Sequence, residues 1–178
     1  MPHLDALHWA LAGVLAALLA WAAVTDVMKR QIPNASVLAI LGLFVLWALA
    51  GAPAGLGSGL VAAAIGFAVG FALFLLKVMG AGDVKLFAAA ALFIGLAYLP
   101  MFALATALAG GLIAVLCVLS RPKRILVMLA LRGRGGHGRD IPYGLPISIG
   151  ALLTLWCLAT GVSLADLLQS GVGATGGA

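Results

Sequence analysis

Charged residues are scarce in this chain, and their scarcity limits its class. Only 8% of the 178 residues are charged, whereas 65% are hydrophobic. A soluble domain of this size usually carries about 25% charged residues. The composition therefore excludes an ordinary soluble protein and predicts an integral membrane protein built as one compact unit.

Glutamate is missing altogether. The chain contains five acidic residues and all are aspartates: Asp5, Asp26, Asp83, Asp140 and Asp166. An ionisable residue inside a membrane segment is costly and usually has a function. Each aspartate in so apolar a chain therefore needs a specific explanation.

Cysteine is also rare, which argues against a metal site. Cys117 and Cys157 both lie inside apolar runs, without CxxC spacing and without a histidine cluster nearby. This pattern does not fit zinc and favours two small side chains packed among hydrophobic neighbours. We expect neither a metal nor a cofactor.

Long apolar runs predict six membrane helices, over residues 7–24, 35–52, 56–76, 84–99, 101–119 and 142–160. The apolar stretch after Lys85 is too long for a single span. A corner is predicted at "AYLPMF", because Pro100 biases Leu99 away from helical geometry. The first run is long enough to span and no Lys or Arg precedes it, so a helix is predicted there rather than a signal peptide.

The ten basic residues predict the orientation. They occur only in the first, third and fifth connecting segments: Lys29, Arg30, Lys77, Lys85, Arg121, Lys123, Arg124, Arg132, Arg134 and Arg139. The positive-inside rule makes these segments cytoplasmic and puts both termini outside. The net charge of +5 then reflects topology and contact with anionic lipid, so no nucleic-acid partner is expected.

The predicted fold is an all-α polytopic membrane protein with two regions. Residues 1–162 form a single six-helix transmembrane domain, and residues 163–178 form a short surface helix followed by a flexible glycine-rich tail. A capping-box pattern at Ser163 and Asp166 predicts that surface helix. Within the long basic loop, "RILVMLALR" is too short to span and is predicted to lie along the membrane interface.

Two of the aspartates are predicted to lie at the same membrane depth. Asp26 follows the first helix and Asp83 begins the fourth, both at the cytoplasmic side. If these helices pack together, the carboxyls can face each other, and repulsion leaves one protonated and one charged. Such a pair can activate a water against a peptide carbonyl and protonate the leaving amine. Gly80 and Gly82 would allow a tight turn and a close approach of the substrate backbone.

Structural interpretations of the same residues remain open at this point. Asp83 could be the N-cap of a helix, and Asp26 could pair with Lys29 or Arg30. "IPN" and "IPYGLP" are also suitable helix starts with proline in the first turn. A non-enzymatic membrane protein is the alternative class: a transporter subunit or assembly factor whose acids bind protons or ions.

Three stretches in order, "TDVMKRQIPN", "GAGDVKLF" and "DIPYGLPISIG", resemble the type IV prepilin peptidase family, intramembrane aspartyl proteases with a GxGD motif. The resemblance covers residues from about 5 to 160. It implies that Asp26 and Asp83 are catalytic and that Gly80 and Gly82 are the motif glycines. Six further residues match supporting motif positions: Lys85, Pro33, Asn34, Pro142, Tyr143 and Gly144.

The resemblance also implies a reaction and a location. Such enzymes remove the short basic leader from pilin or pseudopilin precursors at the cytoplasmic face of the bacterial inner membrane. This chain lacks the insert with paired CxxC motifs of the long members, so N-methyl transfer is not expected. Its size resembles the small stand-alone branch that serves tight-adherence (Flp) pili, although archaeal preflagellin peptidases are similarly short. It has no PAL motif, which argues against the presenilin branch.

Overall fold

The structure is a computed structural model that describes residues 6–29, 31–51, 55–120 and 143–162. These residues form helices α1 (Ala6–Lys29), α2 (Asn34–Leu49), α3 (Leu56–Leu75), α4 (Ala81–Ile94), α5 (Leu99–Ser120) and α6 (Gly144–Thr160). The all-α prediction is thus confirmed for this part of the chain. The "RILVMLALR" segment, Pro142 and the C-terminal tail lie outside the described residues.

Within the described residues, three helices are long and apolar enough to cross a membrane: Ala6–Lys29, Leu56–Leu75 and Leu99–Leu116. α2 and α6 are apolar but shorter. α4 has only 14 residues and carries Asp83 in its first turn. Six spans and the outward position of both termini therefore remain predictions.

The turn between α4 and α5 differs from the prediction. Gly95 ends α4 with a φ of 76°, a left-handed conformation that suits glycine, and α5 begins at Leu99. Pro100 is therefore in the first turn of α5, where its missing N–H has no helical partner to lose. The predicted corner, residues 97–102, overlaps the observed turn at residues 95–98 but lies a few residues too late in the chain. The hydroxyl of Ser58 accepts the backbone N–H of Leu96 at 2.8 Å, which ties this turn to α3.

Small residues bring α3 very close to α4. A side chain at Gly70 would lie 3.0 Å from Val84, and one at Gly66 would lie 3.1 Å from the ring of Phe87. Close backbone approach through small residues is a common way to pack membrane helices, where no hydrophobic effect drives association. This contact fixes α4 against a long neighbouring helix.

An aromatic cluster joins the start of α1 to the C-terminal ends of α2 and α4. The Trp47 ring lies 5.2 Å from His8 and 5.5 Å from Phe93, and Phe44 lies 5.3 Å from Phe93, all edge-to-face. Such pairs contribute about 0.5–1.5 kcal/mol each beyond their burial. The cluster thus holds these three helices together at the end of the bundle opposite to Asp26 and Asp83.

α1 and α4 share two neighbouring helices, α2 and α6. α1 packs along α2 and α6, and α4 packs along α2, α3 and α6. The direct packing of the first and fourth helices, on which the sequence interpretation depended, is therefore largely replaced by contacts through α2 and α6. The C-terminal end of α1 and the N-terminal ends of α2, α4 and α6 lie at the same end of the bundle.

Candidate active site

Asp26 is held by the start of α6. Its side chain is only 6% exposed, and its Oδ2 accepts a hydrogen bond from the backbone N–H of Gly144 at 2.7 Å. Asp26 lies in the last turn of α1, where the helix dipole disfavours a negative charge. The N-terminus of α6 offsets this effect, because its exposed N–H groups carry partial positive charge.

Gly144 fits this position because it has no side chain. A Cβ added there would lie 2.8 Å from Oδ2 of Asp26, closer than real contacts allow, and 3.0 Å from Cβ of Asp26, which is unusually tight. Glycine at this position therefore lets the backbone of α6 approach the carboxyl group more closely than a residue with a side chain would. The sequence indicated Gly144 only as a motif position; the contact with Asp26 became visible in the structure.

Asp83 is the third residue of α4 and is 9% exposed. Its Oδ2 accepts the backbone N–H of Gly80 at 3.0 Å, so the carboxyl reaches back over the first turn. The N-cap is Gly80, so the alternative that Asp83 is itself the N-cap of the helix is wrong. Asp83 still contributes to starting the helix, because it satisfies an N–H that has no partner within the helix.

The predicted tight turn does not lie at the glycines of the GxGD motif. Gly80 has an extended backbone with φ of −80°, and Gly82 also lacks a positive φ. The expected unusual turn lies earlier, at Lys77, whose φ is 59°. Gly82 lies close to Ile32: a Cβ there would lie 3.2 Å from Cβ of Ile32, a tight contact that Ile32 would have to relieve by a small shift. The close approach at Gly82 is thus with the chain's own α1–α2 connection.

The α1–α2 connection packs on the start of α4. Pro33 is the N-cap residue of α2, and its carbonyl accepts hydrogen bonds from the backbone N–H and the hydroxyl of Ser36, at 3.1 and 2.7 Å. The amide Oδ1 of Asn34 accepts a hydrogen bond from Nζ of Lys85 at 3.4 Å. The "IPN" and "GAGDVK" stretches are therefore neighbours in space.

Two residues near the start of α6 support its position. Tyr143 is the N-cap, half-buried, and its carbonyl accepts the N–H of Ile147 at 3.1 Å. Ser148 is buried, and its hydroxyl lies 3.0 Å from the carbonyl oxygen of Leu19 and 2.8 Å from that of Gly144. Ser148 was not singled out from the sequence, although a serine four residues after Gly144 was visible in "GLPIS".

Together these contacts gather the motif residues of the described chain at one end of the bundle. Asp26 and Asp83 are both buried there, and each accepts a backbone N–H near the start of a helix. Buried carboxyl groups at the end of an apolar bundle can take up and release protons next to a bound substrate. The fold and this site define an all-helical protein with apolar helices long enough to cross a membrane and two buried acids at one end of the bundle.

The comparison with known families identifies the group to which this protein belongs. The sequence family described as "Type IV leader peptidase family" matches residues 13–115, more than half of the chain. The chain belongs to this family, which confirms the resemblance found in its motifs and supports a protease. The match includes both Asp26 and Asp83. No curated protein and no solved structure matches the chain.

Proposed function

We propose that this protein is an intramembrane aspartyl endopeptidase that removes the short basic leader from type IV or Flp prepilins or from pseudopilins. Asp26 and Asp83 are its catalytic residues. The reaction takes place at the cytoplasmic face of the bacterial inner membrane, next to the basic connecting segments. N-methyl transfer is not part of this function, since the chain has no insert with paired CxxC motifs.

The observation that carries the proposal is the paired anchoring of the two acids. Each carboxyl is more than nine-tenths buried, and each binds a backbone N–H at the start of a helix. These helices, α4 and α6, pack against each other. A carboxyl fixed in this way loses little freedom when a substrate binds, and such preorganisation is what proton transfer in an active site requires.

The chemistry follows from two carboxyl groups that share one proton. The ionised carboxyl takes a proton from water while the water oxygen attacks the scissile carbonyl carbon. The protonated carboxyl donates its hydrogen to the carbonyl oxygen, giving a neutral tetrahedral intermediate. When the intermediate collapses, the carboxyl that took the water proton gives it to the leaving nitrogen, the other carboxylate takes a proton back from a hydroxyl of the intermediate, and the carbon–nitrogen bond breaks. One water is consumed and two peptides are released.

The decisive experiment removes each acid without changing its size. The protein is produced together with a candidate prepilin, and the shortened product is followed on a gel for the wild type, Asp26→Asn and Asp83→Asn. We expect both substitutions to abolish cleavage, because an amide cannot accept and return the proton. Protein levels in the membrane fraction are measured for every variant.

The matched control is Asp166→Asn, the same substitution in the C-terminal tail, which we expect to cleave like the wild type. Cleavage by either Asp26→Asn or Asp83→Asn at normal protein levels would contradict the proposal. A non-enzymatic transporter instead predicts no cleavage by any version and an altered ion or proton flux in the two variants.

A further inference from the structure

A groove between α2, α3 and α4 is separate from the two acids. Its volume is about 660 Å³, within the range of about 300–1,000 Å³ usual for ligand pockets. Apart from Asn34 and Lys85, all of its lining residues are apolar: Val37, Leu38, Leu41, Ala63, Ala64, Phe67, Ala88, Ala89 and Leu92. The groove therefore has one polar end and an apolar body.

The floor of the groove is low because its central residues are small. Alanines from α3 and α4 line it, whereas Leu38 and Phe67 stand at its edges and are 67% and 47% exposed. In a membrane protein, exposed apolar side chains on a helix surface face lipid. The groove thus opens toward the hydrocarbon of the bilayer and is suited to an apolar chain.

The polar end has a single positive charge and no acid among its lining residues. Lys85 and Asn34 are both exposed and are joined by the hydrogen bond between Nζ and Oδ1. An ammonium group has three donors, so this bond leaves two for an anion. Both residues lie within the first two turns of their helices, near the level expected for lipid headgroups.

The length of the groove favours a lipid over a protein helix. Its lining on α2 extends from Asn34 to Leu41 and on α4 from Lys85 to Leu92. Seven steps along a helix cover about 10 Å at 1.5 Å per residue. A spanning helix needs a partner surface of about 30 Å. The groove matches the upper part of an acyl chain attached to a headgroup.

We propose that this groove binds an anionic phospholipid, with the phosphate at Lys85 and Asn34 and an acyl chain along the alanine floor. The cytoplasmic leaflet supplies such lipids and attracts basic residues to its surface. This inference is independent of the proposed peptidase reaction, because neither Asp26 nor Asp83 lines the groove and lipid binding can be measured without a peptide substrate. It adds a lipid site to the same end of the bundle as the two acids.

Lipid titration of the purified full-length protein in detergent tests the proposal. Bound phosphatidylglycerol or phosphatidylcholine is counted by native mass spectrometry. Lys85→Gln should weaken phosphatidylglycerol binding about tenfold, the effect of losing about 1.4 kcal/mol from one charge-assisted contact. It should weaken phosphatidylcholine binding less, because the choline cation of that headgroup already neutralises its phosphate. Lys85→Arg should retain the preference, because it keeps the charge.

The matched control is Lys77→Gln, which removes a lysine from the same end of the bundle but outside the groove. We expect it to bind both lipids like the wild type. Ala88→Leu, which fills the floor without changing charge, should weaken binding of both lipids. Free glycerol phosphate should not compete, because the acyl chain contributes to binding.

Three results would overturn the proposal. One is equal phosphatidylglycerol binding by the wild type, Lys85→Gln and Ala88→Leu, each with an unchanged thermal unfolding midpoint. Another is an equal loss in Lys77→Gln, which would indicate general attraction to basic residues. The third is displacement of the lipid by a single-span apolar peptide whose binding is abolished by Ala88→Leu, since the occupant would then be a helix.

Discussion

Gly144→Ala is the substitution that most directly tests how Asp26 is positioned. Gly144 has a negative φ in the first turn of α6, so alanine fits its backbone and is the better helix former by up to about 1 kcal/mol. The added Cβ would lie 2.8 Å from Oδ2 of Asp26 and must displace the carboxyl group or the start of α6. The expected damage is therefore to the site and not to the helix.

The size of the effect follows from the hydrogen bond that is lost. The bond between Gly144 N–H and Asp26 Oδ2 is 2.7 Å long. Hydrogen bonds to charged groups contribute about 1.5–3 kcal/mol. Since about 1.4 kcal/mol corresponds to a factor of ten in rate, we expect cleavage to slow by about ten- to a hundredfold. A misplacement of about 1 Å in an active site has an effect of similar size.

The assay measures the initial rate of prepilin cleavage by equal amounts of wild-type and variant protein in the same detergent. Gly13→Ala is the matched control, because Gly13 lies on α1, the helix of Asp26, and has open space around it. Its rate should equal that of the wild type. A Gly144→Ala protein that cleaves at the wild-type rate would refute the reasoning about Asp26.

Three other substitutions test the packing around the site, each by thermal unfolding in detergent. Gly59→Ala should destabilise the protein by about 1–3 kcal/mol, because the new Cβ would meet the carbonyl oxygen of Leu92, and Gly57→Ala, with open space, should not. An unchanged midpoint in Gly59→Ala would contradict the close packing of α3 and α4. Ser148→Ala should cost about 0.6 kcal/mol and at most about 1.7, as interhelical hydrogen bonds in membranes do, and a larger loss would show a role beyond this bond. Lys77→Gly should stabilise the protein by up to about 1 kcal/mol by relieving a left-handed backbone, and a lower midpoint would show that the lysine side chain matters more.

Composition and apolar runs predicted the helices well but not all of their ends. Hydrophobic periods indicate which residues face lipid, and glycine and proline indicate where a helix can stop. Between α4 and α5 the sequence contains both a glycine and a proline, and the glycine is the residue at which the helix ends. Gly95 supplies the left-handed residue that ends α4, whereas Pro100 is favourable one residue after a helix start.

The residues of the candidate site could be named from the sequence, but their contacts could not. The order of the motifs indicated Asp26, Asp83 and Gly144 without showing that one glycine touches one aspartate. That contact depends on how α6 packs against α1, and it joins residues far apart in the chain. A single sequence contains no information on such pairs, because local patterns do not determine the rotation of one helix against another.

The shortness of α4 has a consequence for the supply of water. Its 14 residues give a length of about 21 Å, against a hydrocarbon thickness of about 30 Å. A bilayer adapts to a short helix by thinning locally, which brings headgroups and their hydration deeper. Hydrolysis consumes a water molecule for every bond cut, and pure hydrocarbon contains almost none. If α4 spans the bilayer and Asp83 acts in the proposed hydrolysis, this mismatch would let water reach a carboxyl that is otherwise buried in protein.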